Sequence, residues 1–137
     1  MTDVSGFERF VGRIAEREVI VSDGLVRAFA DLVGDHNPLH LDATAAAGSR
    51  FGRPIAHGML IGSLFSGLIA TELPGPGSIY LGQSLAFRRP VFVGDRVTAR
   101  VTCISADASR GRLSLETLVF DATGDVCVRG EADVLVD

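Results

Sequence analysis

Apolar residues recur at two different periods along this chain, and the change of period divides it. Between Ser22 and Gly34, the residues Leu25, Val26, Phe29, Leu32 and Val33 fall at helical spacing, so this stretch is predicted to be an α-helix. Ser22 is a good N-cap, and Gly34 suits the left-handed residue that ends a helix. Ahead of it, Ile14 to Val21 reads as a strand, with Ile14, Val19, Ile20 and Val21 around a charged patch. Behind it, Asn37-Pro38 forces an extended or turn conformation, because a residue before proline avoids the α region. Asp42 then caps a short alanine-rich turn through Ala47, which Gly48 ends.

Gly58 to Glu72 is the second helix of consequence. Leu60, Ile61, Leu64, Phe65, Leu68 and Ile69 cover one side; Gly58, Gly62, Ser63, Ser66, Gly67 and Ala70 cover the other. No charge occurs before Glu72, so the helix is predicted to be buried on all sides. Its small side lets another backbone or a ligand come close. After a Pro/Gly loop from Leu73 to Gly77, the period falls to that of strands: Ile79 to Phe87, Arg96 to Ile104, Leu113 to Phe120 and Val126 to Val136. Short connections between consecutive strands imply an antiparallel meander. A sheet curled around one long buried helix is the α+β architecture called a hotdog, expected here as a single domain over residues 1–137 with no repeat or linker.

Composition narrows the partners. The net charge of −4 argues against nucleic acid, which calls for a basic face. Cys103 and Cys127 are widely spaced without a metal-ligand pattern and read as core residues in a reducing compartment. Met1-Thr2-Asp3 opens no secretory signal, which favours the cytoplasm. Pro54 to Thr71 is uncharged and only just long enough for a membrane span. Its glycines, serines and histidine, in the middle of a small domain, make it a core helix, so no membrane partner is expected.

The candidate chemistry is concentrated in the three histidines. His36 and His40 flank the Asn-Pro turn beside Asp35, and His57 opens the uncharged helix. Histidine and aspartate together supply an acid and a base near neutral pH. The turn brings Asp35 and His40 towards one spot, whereas His36, adjacent to Asp35, points elsewhere. The plain alternative is an Asx-type turn at Asp35 and Asn37 with a packing histidine at His40. A metal ranks low: Pro38 interrupts any helix through His36 and His40, and no zinc-protease motif occurs. Gly58 presents a free N–H at the positive end of a helix, where an oxyanion would be stabilised; alternatively it only starts the helix, with His57 as a polar neighbour. Ser63 and Ser66 also read as hydroxyls satisfied by helix carbonyls, the better reading for Ser63. Arg50, Arg53, Arg88 and Arg89 are candidates for phosphate contacts, with solvated surface as their default reading.

Phe29-x-x-Leu32-Val33-Gly34-Asp35-x-Asn37-Pro38-Leu39-His40 resembles the signature of the MaoC-like (R)-specific enoyl-CoA hydratases. The resemblance continues through Arg53-Pro-Ile-Ala-His57-Gly58-Met59-Leu60, Ser78 to Phe87, and Pro90 to Asp95. Val33 stands where that family usually has a small or hydroxyl residue. The short single-domain length is similar to that of bacterial enzymes feeding polyhydroxyalkanoate synthesis. The resemblance implies a hotdog homodimer that adds water reversibly to a trans-2-enoyl-CoA, giving the (R)-3-hydroxyacyl-CoA. It implies Asp35 and His40 as the catalytic pair and Gly58 as oxyanion donor, with Ser66, Asn37 and His57 supporting them or contacting substrate. The acyl-CoA thioester carries its own electron sink, so no cofactor or metal is expected. A hotdog thioesterase and a non-catalytic acyl-CoA-binding module are the alternative readings.

Overall fold

The structure, a computed structural model, describes residues 4–137; the amino-terminal Met1-Thr2-Asp3, read above as lacking a signal, lies outside the described residues. After two short turns, α1 (Val4–Phe7) and a 3-10 turn (Glu8–Phe10), comes β1 (Ile14–Ile20). Next are α2 (Asp23–Val33), the short α3 (Pro38–Leu41) and α4 (Ala43–Ala47), and the central α5 (Gly58–Thr71). The remainder is β2 (Ser78–Gln83), β3 (Ala86–Phe87), β4 (Arg96–Asp107), β5 (Arg112–Phe120) and β6 (Val126–Val136).

One antiparallel sheet runs in the order β1-β4-β5-β6-β2, with β3 also on β6. The meander expectation holds for β4-β5-β6 and fails at both ends. β2 pairs with β6 rather than β4, because β1 already occupies the free edge of β4. The single strand expected from Ile79 to Phe87 is two strands. It breaks at Ser84 and Leu85, where the backbone crosses over β6 at Gly130. A Cβ on Gly130 would lie 1.8 Å from the Ser84 carbonyl oxygen, so only glycine permits the crossing. Ser84 and Glu131 pin this corner by exchanging hydrogen bonds of 3.0 Å, Ser84 N–H to Glu131 O and Glu131 N–H to Ser84 Oγ.

The inner face of the sheet alternates as a half-buried strand should. Val97, Ala99, Val101 and Cys103 of β4, and Leu113, Leu115, Thr117 and Val119 of β5, are buried against Ile61, Phe65, Leu68 and Ile69 of α5. Each large side chain buried this way contributes roughly 1.5–3 kcal/mol. Both cysteines are free and buried, and burial pushes the Cys127 thiol up to about 11, as befits packing residues rather than nucleophiles.

Two burial expectations are corrected. α5 is not enclosed on all sides: Ser63, Ser66, Gly67 and Ala70 are exposed. Leu32 and Val33 share the helical spacing of α2 yet are 82% and 55% exposed, while Val26 and Ala30 are buried. Nothing among the described residues covers Leu32 and Val33, so the periodicity there has nothing to bury against.

The small residues of α5 receive the strand opposite. A Cβ on Gly62 would lie 2.8 Å from Leu85 Cδ1, and one on Gly58 would lie 2.8 Å from Phe87 Cε1. Glycines four apart on a helix are separated by about 6 Å. Side chains two apart on an extended chain are separated by about 6.6 Å. Leu85 and Phe87 therefore seat in successive notches of α5, at the end where the candidate site lies.

Candidate active site

α2 stops at Gly34, whose φ of 78° is left-handed and turns the chain into Asp35. The Asp35 carboxylate accepts from Asn37 N–H at 3.2 Å, and Asn37 Oδ1 accepts from Leu39 N–H at 3.1 Å. Asn37 thus caps α3, with Pro38 at its first position. The turn delivers His40, whose Nδ1–H donates to the Ile55 carbonyl at 2.7 Å. That bond leaves Nε2 as the ring nitrogen available for chemistry. Ile55 is itself held by its N–H to Leu39 O at 3.1 Å and by a bridge to Phe92.

His57 lies at the N-cap of α5 and is only 2% exposed. Its Nε2–H donates to the main-chain carbonyl of Asp35 at 2.9 Å. The ring packs against Phe29, at a centroid distance of 5.0 Å, and against His40, at 3.8 Å with planes inclined by 30°. One donor atom from each of Asp35, His40 and His57 falls within 4.8 Å of the others. The three residues line a cavity of about 490 Å³ together with Gly58 at the start of α5. The first turn of α5 bonds from Leu60 and Ile61 N–H to His57 O, so the Gly58 N–H has no partner within the helix. The cavity wall is otherwise mostly apolar, with Phe51, Met59 and Phe87 among its large side chains; Asp35 is the one acid and Arg88 and Arg89 the cations in the lining.

Residues 12–122 match the MaoC like domain. The chain is 55% identical to an (R)-specific enoyl-CoA hydratase of Aeromonas caviae over 80% of its own length and 81% of the relative's. It is 41% identical to a 3-hydroxybutyryl-CoA dehydratase of Methylorubrum extorquens over 90% of its length and 76% of the relative's. Among solved structures, the (R)-hydratase from A. caviae involved in PHA biosynthesis superposes with a TM-score of 0.91 at 50% identity, covering 93% of this chain and 96% of that one. The chain belongs to the MaoC-like family.

Within this MaoC-like domain the structure brings four of the six expected residues, Asp35, His40, His57 and Gly58, to one cavity. Asn37 acts one step removed, through its cap. Ser66 is two turns further along the exposed side of α5 and is not among the lining residues. Ser63 Oγ donates to Leu60 O at 2.6 Å, as a helix hydroxyl does, and His36 turns away to pair with Asp31 at 3.0 Å. Val33 does not line the cavity either.

Of the four arginines that the sequence offered to phosphates, Arg88 and Arg89 line the cavity and Arg50 and Arg53 do not. Arg89 lines the cavity and pairs with Asp125 at 2.7 Å, while the Arg53 guanidinium lies 3.9 Å from the centre of the Phe92 ring. Nothing local in Arg88-Arg89-Pro90 separates these from solvated surface; the two following residues of a strand that ends against Gly58 were the available sign. The carbonyl bonds on one nitrogen of each ring are bonds that a metal-bound imidazole also makes, so they do not separate an acid–base site from a metal site.

Proposed function

We propose that this protein is an (R)-specific enoyl-CoA hydratase, a hydro-lyase that adds water reversibly to trans-2-enoyl-CoA. The observation that carries the reading is the meeting of Asp35 and His40 in an apolar cavity that opens on the free N–H of Gly58. The thioester lies with its carbonyl oxygen at Gly58 and C3 at the Asp35–His40 pair. One of the pair takes a proton from water as its oxygen bonds to C3. The C2–C3 π electrons move towards the thioester oxygen, where Gly58 N–H and the positive end of α5 stabilise the charge. The other member of the pair delivers a proton to C2. The apolar wall suits an acyl chain, and Arg88 and Arg89 suit the anionic end of coenzyme A.

The substrate carries its own electron sink, so the reaction requires neither metal nor cofactor. Turnover is expected to survive exhaustive chelation, and restoration by one specific metal after loss would reverse this reading. Among the described residues no helix is long and apolar enough to cross a membrane, and a cytoplasmic enzyme is the reading adopted. A homodimer completes the proposal. β2 is an edge strand with both faces largely exposed, and it presents Ile79 and Leu81, 46% and 44% exposed, next to the open side of α5. Such an edge favours pairing with a second copy; a fully active monomer at micromolar concentration contradicts it.

The deciding assay presents a trans-2-enoyl-CoA and follows enoyl absorbance, free thiol and product chirality together. Loss of absorbance without thiol release, giving the (R)-alcohol, is expected. Thiol release without hydration makes the protein a thioesterase instead.

A further inference from the structure

His57 carries a feature that the hydration chemistry leaves unused. Its ring is buried, and among the described residues its Nδ1 is the one buried side-chain polar atom without a hydrogen-bond partner. Buried polar atoms are normally paired, and an unpaired one works against stability. The other nitrogen explains why the ring is held this way. A carbonyl only accepts, so the 2.9 Å contact with Asp35 O fixes the proton on Nε2 and leaves Nδ1 a bare acceptor. The opposite tautomer would turn a lone pair towards the Asp35 carbonyl and release that residue's main chain.

We infer that His57 is the positioning residue of this site, acting on both members of the candidate pair through two different parts of one ring. Its Nε2–H holds the Asp35 main chain, immediately after the left-handed Gly34. The bond spans 22 residues and ties the end of α2 to the start of α5. Asp35 otherwise has only its local turn, one carboxylate bond of 3.2 Å to Asn37. The face of the same ring backs His40 at 3.8 Å. With Nδ1 of His40 anchored on Ile55 O, that stacking leaves the ring no freedom to rotate away from the cavity. Phe29 also packs on the His57 ring, with centroids 5.0 Å apart and planes inclined by 58°. His57 itself touches no reacting atom in this scheme; it sets the separation of two groups that do.

The inference rests on the hydratase reading for its kinetic test and on the geometry alone for its spectroscopic one. His57→Gln keeps a donor near the Nε2 position and loses the ring. His57→Phe keeps the ring and loses the donor. With an enoyl-CoA as substrate, His57→Phe is expected to lower kcat by about 10²-fold, the scale of a misplacement of about 1 Å, with KM changed less than about twofold because the cavity wall is preserved. His57→Gln keeps a donor for Asp35 O but removes the face that backs His40, so it is expected to lose kcat as well, by about tenfold or more. Near-normal kcat in either variant overturns the inference. Should either variant fail to fold, nitrogen-15 shifts of the His57 ring in the unmodified protein decide. A protonated Nε2 with an unprotonated Nδ1 is expected, and the reverse tautomer overturns the inference. An unmodified protein that does not turn over enoyl-CoA defeats the hydratase reading, and the ring tautomer still tests the placement of His57.

Discussion

Asp35 and Asp121 make the same local motif with opposite results. Each follows a regular element and accepts from the N–H two residues on, the Asx turn that the sequence advertises. In the β5–β6 connection, Asp121 Oδ1 accepts from Thr123 N–H at 2.9 Å, Thr123 Oγ1 at 2.6 Å and Asp125 N–H at 3.0 Å. The Thr123 hydroxyl above all holds its carboxyl below the usual carboxylate range. Asp35 receives the Asn37 N–H and, among the described residues, no further recorded donor. The Asp121 carboxylate is saturated by its own loop. The Asp35 carboxylate keeps acceptor capacity beside an imidazole in a cavity. A turn becomes a candidate site through what it leaves unsatisfied, so the motif alone does not distinguish the two.

The largest expected effect separates this pair directly. Asp35→Asn or His40→Ala should lower enoyl-CoA hydration by about 10²-fold or more, the usual contribution of a positioned proton-transfer group. Asp121→Asn should leave turnover unchanged in the same assay. Comparable losses at positions 35 and 121 would dissolve the distinction.

An intermediate effect is expected at Gly58. Gly58→Ala keeps the N–H but drives a Cβ against Phe87, which is 52% exposed and has room to swing outward. Melting should show a loss of about 1 kcal/mol, the low end for overpacking, and turnover should fall about tenfold as the ring shifts at the cavity. Adding Phe87→Ala should restore the melting temperature towards the parent value; no such rescue would place the strain elsewhere.

The smallest effect is in acid. A folded-state carboxyl held below its ordinary value stabilises the fold above the unfolded value, roughly pH 4, and that contribution disappears as pH falls through the folded one. The unfolding curves of the parent and Asp121→Asn should therefore differ at neutral pH and converge only as the pH falls through the lowered folded-state value. A gap that persists in acid would show that the Asp121 charge is not what stabilises the turn.

The same contrast explains how far the sequence could be read. α2 was legible to the residue because Ser22 and Gly34 cap it locally, and the Asn-Pro turn is local too, so Asp35 and His40 were found together. Long-range facts left no mark. The break between β2 and β3 is set by Gly130 across the sheet. The edge beside β4 is taken by a strand from the far end of the chain. The His57 bond reaches a main-chain carbonyl, which every residue has. Leu32 and Val33 misled because periodicity reports a stripe and not whether anything covers it.

The seating of Leu85 and Phe87 in the Gly62 and Gly58 notches works as a ratchet between strand and helix. The two pitches nearly agree, so both side chains engage together or neither does. Sliding the strand by one residue would present Ala86 and Arg88 to notches shaped for Leu85 and Phe87, and would turn the engaged side chains to the opposite face. The Gly58 N–H at the head of α5 is therefore indexed against β6 through a mechanical stop, and an error in strand registration would be felt as a displaced candidate donor before it was felt as a damaged core.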